Sequence, residues 1–488
     1  MSSYVQTLSY FFKLPFHIQW RTFLVQLPRF VPLSILHVTS PKGPHPFIIA
    51  LPSRKGNIIP IYVFVPPAPV DLGDGEYRPD EDWKVPVVLD FHGGGFIMGS
   101  PLEQAPYCSM MSRELGAVVI SVSYRIGPFN QFPSAIHDGE DVLSAILDTD
   151  GVSKAGKILR TELQRYYSLM RETSKREHRK RKMEQKQDQQ QQQQQHKSHS
   201  PAGESMSSLK MSRSIVLDPT RLAISGFSAG GNLALNLAIS VPALTNELTL
   251  PTASITPTNM EGAPGSPLLP PPRFETILDD PARPWPSILP PPQAQPRLMP
   301  LLLFYPSLDA RLLPHERPRK PLPNALHPEQ GQEGGGEKPT QPKVPGLFSI
   351  MSPTYLPKRF RAHPRASPGL VNPETDIQKN AAIFLVLPER DSLAVQSDVW
   401  VNKMNEAGWT GPVRFGDERD LDKRDQVEFV KRRRECGNGG LEVWHAPGCR
   451  HGWTQFPEKV LGKHEKGERE KVFKRTIEFV KENWKLTL

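Results

Sequence analysis

The feature that most constrains this chain is a rhythm of short apolar runs, each closing on a turn, set between stretches of helical periodicity. The runs are Asn57 to Val65, Val85 to Phe91, Ala117 to Val122, Leu222 to Ser225, Pro300 to Tyr305, Ala382 to Leu387 and Glu442 to Trp444. Several are too continuously apolar to have a solvated face, as strands buried on both sides should be. Helix-like stretches separate them at Gln104 to Leu115, Ile136 to Leu147, Gly230 to Ile239, Val395 to Glu406 and Lys471 to Asn483. Strands alternating with helices predict an α/β fold, with a mainly parallel central sheet covered by helices on both faces.

Four stretches break the rhythm. Gly151 to Arg213 begins as a polar helix and runs into the glutamine tract Gln189 to Gln195. Pro251 to Gln295 is rich in proline, Arg311 to Pro345 in Pro, Gly and charge, and Gly416 to Gly439 carries Lys431, Arg432, Arg433 and Arg434. Much of the excess of proline, 53 in 488 residues, falls in such stretches. Their composition buries little apolar surface, so they read as mobile, low-complexity insertions. What remains suits one large domain over residues 56–488, preceded by an N-terminal cap over residues 1–55. Tyr10, Phe11, Phe12, Phe16, Trp20 and Phe23 make that cap aromatic, and Pro15, Pro28 and Pro32 break it into short helical pieces.

The net charge of +9 has one source. Gly151 to Arg213 holds 15 basic and 6 acidic residues, so the rest of the chain balances. A nucleic-acid binder needs a basic face on its folded domain, and no such partner is expected here. Lys175 to Lys182 (KREHRKRK) reads as a solvated helix face, with nuclear import or binding to an anionic surface as the alternatives. Cys108, Cys436 and Cys449 offer neither a disulfide framework nor zinc spacing, which makes a reducing, cytoplasmic location the default. No apolar run is long enough to span a bilayer, and Lys13, Pro15 and His17 interrupt the N-terminal apolar stretch, so no signal peptide is expected. Peripheral contact with a membrane through that stretch remains open.

Chemistry concentrates at four places. Gly226-Phe227-Ser228-Ala229-Gly230 follows a short strand and precedes a helix, and its glycines allow the strained turn that exposes a nucleophilic hydroxyl. His92-Gly93-Gly94-Gly95-Phe96 follows the strand ending at Phe91, and such glycines let backbone N–H groups approach a growing oxyanion. A phosphate loop is the alternative, but the Lys-Ser/Thr that should close one is missing. His451, in PGCRHGW after another strand, is the candidate base, with His445 and His464 as competitors. Asp391, just past a strand end, is placed to orient an imidazole, with Glu389 and Asp398 as alternatives.

Through HGGGF, GFSAGGN, Tyr124-Arg125 followed by Phe132-Pro133, Asp391-Ser392-Leu393 and PGCRHGW, the chain resembles the hormone-sensitive-lipase group of α/β-hydrolases. The resemblance runs from about Ile58 to the C-terminus, across the four insertions. It implies an α/β-hydrolase fold with the triad Ser228, Asp391 and His451, and an oxyanion hole made by the N–H groups of Gly94, Gly95 and Ala229. Three positions depart from the group's pattern: Phe227 where an acidic residue is usual, Ser123 where Asp is frequent, and Gly127-Pro128-Phe129 in place of Ala-Pro-Glu.

The function this implies is hydrolysis of carboxylic esters, esterase- or lipase-like, on a small-molecule substrate with an apolar acyl group and without metal or cofactor. Amidase or deacetylase chemistry uses the same triad. A non-catalytic receptor, as in the gibberellin receptors that resemble this group, would lack the histidine that His451 supplies. Phe12, Phe16 and Trp20 are expected at the mouth of the site, beside the acyl chain.

Overall fold

The computed structural model describes residues 9–67, 82–193, 214–242, 284–318, 345–416 and 436–487. Nine strands form one sheet: β1 Phe47–Pro52, β2 Ile58–Phe64, β3 Trp83–Phe91, β4 Val118–Val122, β5 Ile215–Phe227, β6 Met299–Phe304, β7 Ala381–Arg390, β8 Val413–Phe415 and β9 Leu441–Arg450. Their order is β1-β2-β4-β3-β5-β6-β7-β9-β8. β1 with β2 and β2 with β4 are antiparallel, and every other neighbouring pair is parallel. The strands read from the sequence are all present, and several extend further than their apolar runs. β1 and β8 carried no clear run, because β1 alternates buried and exposed residues at the sheet edge and β8 has only three residues.

The main helices are α1 Phe16–Gln26, α2 Ala105–Leu115, α3 Ser134–Leu147, α4 Lys154–Gln193, α5 Ala229–Leu237, α6 Leu347–Tyr355, α7 Ala394–Glu406 and α8 Lys463–Asn483. β4 and β6 are buried at every position, as a strand covered on both faces must be. Alternate residues feed two apolar clusters. Val87, Leu89 and Phe91 join α3 and α5 on one face, while Val88 joins α2 and α8 on the other. The expected α/β architecture, a mainly parallel sheet between two helical layers, is therefore the one found.

The described residues adjust the bounds of the four insertions and of the N-terminal segment. The stretch 151–213 opens with α4, whose Leu159, Leu163 and Tyr167 are buried in the core against α3 and β1. Its polar composition hid this, since a helix needs only one apolar stripe to dock. The basic run 175–182 lies on α4 beyond those contacts, and residues 194–213 lie outside the described residues. In 251–295, Trp285 is buried and pairs with Val241, and residues 251–283 are outside the described set. In 311–345, residues 311–318 form part of a pocket wall, and residues 319–344 are outside the described set. In 416–439, Asn438 is buried and bonds to Gly408, and residues 417–435 are outside the described set. Within residues 1–55, β1 belongs to the sheet rather than to a separate cap.

Candidate active site

The parallel strands β3, β5, β7 and β9 end along one edge of the sheet, and each delivers one part of the site. In an open α/β sheet this carboxyl edge is where ligands bind. β5 stops at Phe227, and Ser228 makes the turn into α5 with φ 54° and ψ −112°. A side chain at φ 54° is strained, and the surroundings hold it there. The Ser228 N–H donates to the Phe304 carbonyl at 2.9 Å, and its carbonyl accepts from Asn232 and Ser307. Gly230 is required by close approach, because a Cβ there would sit 2.1 Å from the Phe91 carbonyl oxygen.

His451 follows β9 and Asp391 follows β7. The His451 ring reaches Ser228 Oγ with Nε2 at 2.9 Å and Asp391 Oδ2 with Nδ1 at 2.8 Å. Asp391 is buried, and its second oxygen accepts the Leu393 N–H at 2.8 Å, which fixes the carboxylate plane. The competing residues are placed elsewhere. His445 stacks on Phe415, His464 bonds to the Pro447 carbonyl at 2.7 Å, Glu389 accepts the Gly448 N–H, and Asp398 lies on α7.

The glycine loop after β3 faces the same space. Gly94, Gly95 and Ala229 line one pocket with Ser228 and His451. Gly94 has φ 113°, and a Cβ there would lie 2.1 Å from the Met98 carbonyl, so only glycine makes this turn. His92 anchors the loop from below. It is buried, stacks on Tyr124 at 4.2 Å, and its carbonyl accepts from the Tyr124 hydroxyl at 2.7 Å. Burial, helped by the charge of Arg29, pushes the His92 imidazole down to about 3, so it is neutral at ordinary pH. Arg29, from the N-terminal segment, donates to the Gly99 and Tyr124 carbonyls at 3.1 and 2.7 Å and ties that segment to the end of the loop.

The pocket has a volume of about 490 Å³. Its walls come from Phe96, Leu312, Leu313, Phe348, Tyr355 and Leu356, with Met98 near the loop. Phe12, Phe16 and Trp20 are not among them. They point outward and are 70%, 79% and 46% exposed, which corrects the expectation that they contact the acyl chain. The apolar wall comes instead from α6 and from residues 312–314 after β6. No local pattern marks those residues as pocket-facing, although Leu312-Leu313 amid a polar stretch was a usable signal.

Sequence reasoning also missed Tyr305. Its ring packs against His451 at 4.8 Å, and its hydroxyl bonds to Thr454 at 2.5 Å, so it walls the imidazole on one side. Phe227, at the position where an acidic residue is usual, turns away from the pocket. It stacks on Phe304 at 4.3 Å and meets Tyr107 edge-on, within the core layer that α2 and α8 build. Below the loop, Asp90 is fully buried between Ser121 and Cys108, and burial pushes its carboxyl up to about 7. Among the described residues no helix is long and apolar enough to cross a membrane.

Residues 88–260 match the profile of a family described as alpha/beta hydrolase fold. That range includes Gly94, Gly95, Ser228 and Ala229 but not Asp391 or His451. The chain is similar to Carboxylesterase 20 of Arabidopsis thaliana, 42% identical over 69 residues, which is 14% of this chain and 21% of that protein. It is also similar to the versiconal hemiacetal acetate esterase of Aspergillus parasiticus, 43% identical over 54 residues, 11% of this chain and 17% of that protein. These matches thus span about a fifth or less of the relatives' own length. Among solved structures, the hyperthermophilic esterase from the archaeon Pyrobaculum calidifontis is 16% identical, with a TM-score of 0.44 and coverage of 96% of each chain.

Proposed function

The chain has the α/β-hydrolase fold, and we propose that it uses this fold to hydrolyse carboxylic esters. The observation that carries the reading is the continuous Asp391–His451–Ser228 relay, with bonds of 2.8 and 2.9 Å, opening into an apolar pocket. His451 Nε2 takes the Ser228 proton as Oγ attacks the ester carbonyl. The buried Asp391 carboxylate holds the ring orientation and stabilises the imidazolium. The N–H groups of Gly94, Gly95 and Ala229 stabilise the oxyanion, aided by the N-terminus of α5. His451 then returns the proton to the departing alcohol, leaving an acyl-enzyme. Water attacks that ester in the second half, again losing its proton to His451, which passes the proton to Ser228 Oγ as the Oγ–acyl bond breaks and the carboxylic acid leaves.

The aromatic and aliphatic walls favour an apolar acyl group, which is the finer part of the proposal. A panel of p-nitrophenyl esters of increasing acyl length, run beside matching anilides, tests both parts. Hydrolysis of esters well above the level of a Ser228→Ala control is the expected result. Cleavage of anilides alone would move the activity to amides, and no cleavage of any ester would remove the proposal.

A further inference from the structure

The N-terminal segment has apolar residues on both faces of a short helix. Leu14, Ile18, Thr22 and Val25 face inward and are buried. This inner face packs α1 against α6, the helix that supplies Phe348 to the pocket wall. The outer face carries Phe12, Phe16, Phe23 and Phe30, exposed by 67–79%, and Trp20, Leu24 and Leu27, exposed by 44–46%. A surface helix of a globular protein normally keeps one apolar stripe, facing the core, and a polar opposite face. So dense a cluster of exposed large apolar side chains marks a contact surface.

Charge decides what covers it. The chain has no Asp or Glu before Asp71. Of the cations before that position, Arg29 is held by the Gly99 and Tyr124 carbonyls and Arg54 pairs with Glu140 and Asp141, whereas Lys13, Arg21 and Lys42 have no acidic partner in the segment. Arg21 lies over the Trp20 ring at 4.3 Å, so a cation stands among the aromatics. Aromatic rings flanked by cations, with no acidic residue in the segment, suit the interface of an anionic bilayer. A second copy of this chain would bring the same cations against each other.

We propose that residues 12–30 dock this protein onto an anionic lipid surface, with α1 lying in the interface. Because α1 rests on α6, docking brings the pocket mouth close to the bilayer. The corollary that the substrates are membrane-resident lipid esters rests on the hydrolase reading, whereas docking itself does not.

The test is flotation of the full-length protein with vesicles of phosphatidylcholine plus phosphatidylserine and with vesicles of phosphatidylcholine alone. The variant Phe16→Ser/Phe23→Ser/Phe30→Ser changes only exposed side chains, and unchanged hydrolysis of a water-soluble ester or an unchanged melting temperature shows that it folds. The expected result is that wild type floats with the anionic vesicles, less so at high salt, and that the triple variant loses about tenfold or more in bound fraction. Three results would overturn the proposal. Wild type fails to float with either vesicle; the triple variant floats unchanged, placing contact elsewhere, for example on the basic run 175–182; or a dimer that the same substitutions dissociate forms without vesicle binding. Flotation is read without turnover, so failure of docking and failure of the hydrolase reading are separate outcomes.

Discussion

His451 Nε2 stands 2.9 Å from Ser228 Oγ although 223 residues of chain separate them. Each sits at the carboxyl end of a parallel strand, β9 and β5, with β6 and β7 lying between. The Asp391 carboxylate comes from β7, nearer to the histidine. The sheet therefore acts as a rigid comb that sets three loop residues at hydrogen-bonding distance.

Ser228→Ala removes the proposed nucleophile and leaves the turn in place. The expected loss is about 10⁶ in kcat, with a melting temperature close to wild type. Retention of more than about a tenth of the activity would show that another residue attacks.

Acyl preference should follow the pocket wall and not the outer face of α1. Three extra methylenes buried in an apolar pocket are worth about 2.4 kcal/mol, or about fiftyfold in kcat/KM. Phe348→Ala is expected to remove a large part of that discrimination among soluble p-nitrophenyl esters, whereas Phe16→Ala leaves it intact. The reverse outcome would place the N-terminal aromatics at the substrate after all.

Helix α4 belongs to the folded body, so deletion of residues 151–213 should give an insoluble or strongly destabilised protein. Leu163→Ala is the cleaner test. The residue is 1% exposed, and truncating a buried leucine costs about 2–5 kcal/mol, to be read from denaturant unfolding. A cost under about 0.5 kcal/mol would mean that the helix is an appendage.

Asp90 gives a pH dependence with a definite sign. The folded carboxyl keeps its proton up to about pH 7, while in the unfolded chain it ionises near the ordinary value of 3.8. Between those limits the folded state binds more protons, so this group makes stability fall as pH rises from about 4 to about 7. His92 and His363, held low by burial, act in the opposite direction but are common to both proteins in a comparison with Asp90→Asn. The variant should therefore gain stability relative to wild type progressively across that window, and show no added gain on going below pH 4. Parallel stability curves for the two proteins would show that Asp90 is not held protonated.

The alternation of apolar runs with helical stretches, and the glycines around Ser228 and Gly94, are local properties. Burial on both faces needs continuous apolar runs, and a strained turn or a close backbone approach needs glycine, so both are written along the chain itself. Strands β2 to β7 and β9, the turn at Ser228 and the loop at Gly94 and Gly95 were legible for that reason, whereas Asp391 and His451 were read only from their places just past strand ends. The edge strands β1 and β8, the docking of α4 through Leu159, Leu163 and Tyr167, the pocket wall at Leu312 and Phe348, and the outward face of Phe16 and Phe23 were not legible. Each depends on which distant segment lies opposite. A leucine or a phenylalanine has the same local pattern whether its partner is a core, a substrate or solvent, and only the packing of the whole chain decides between them.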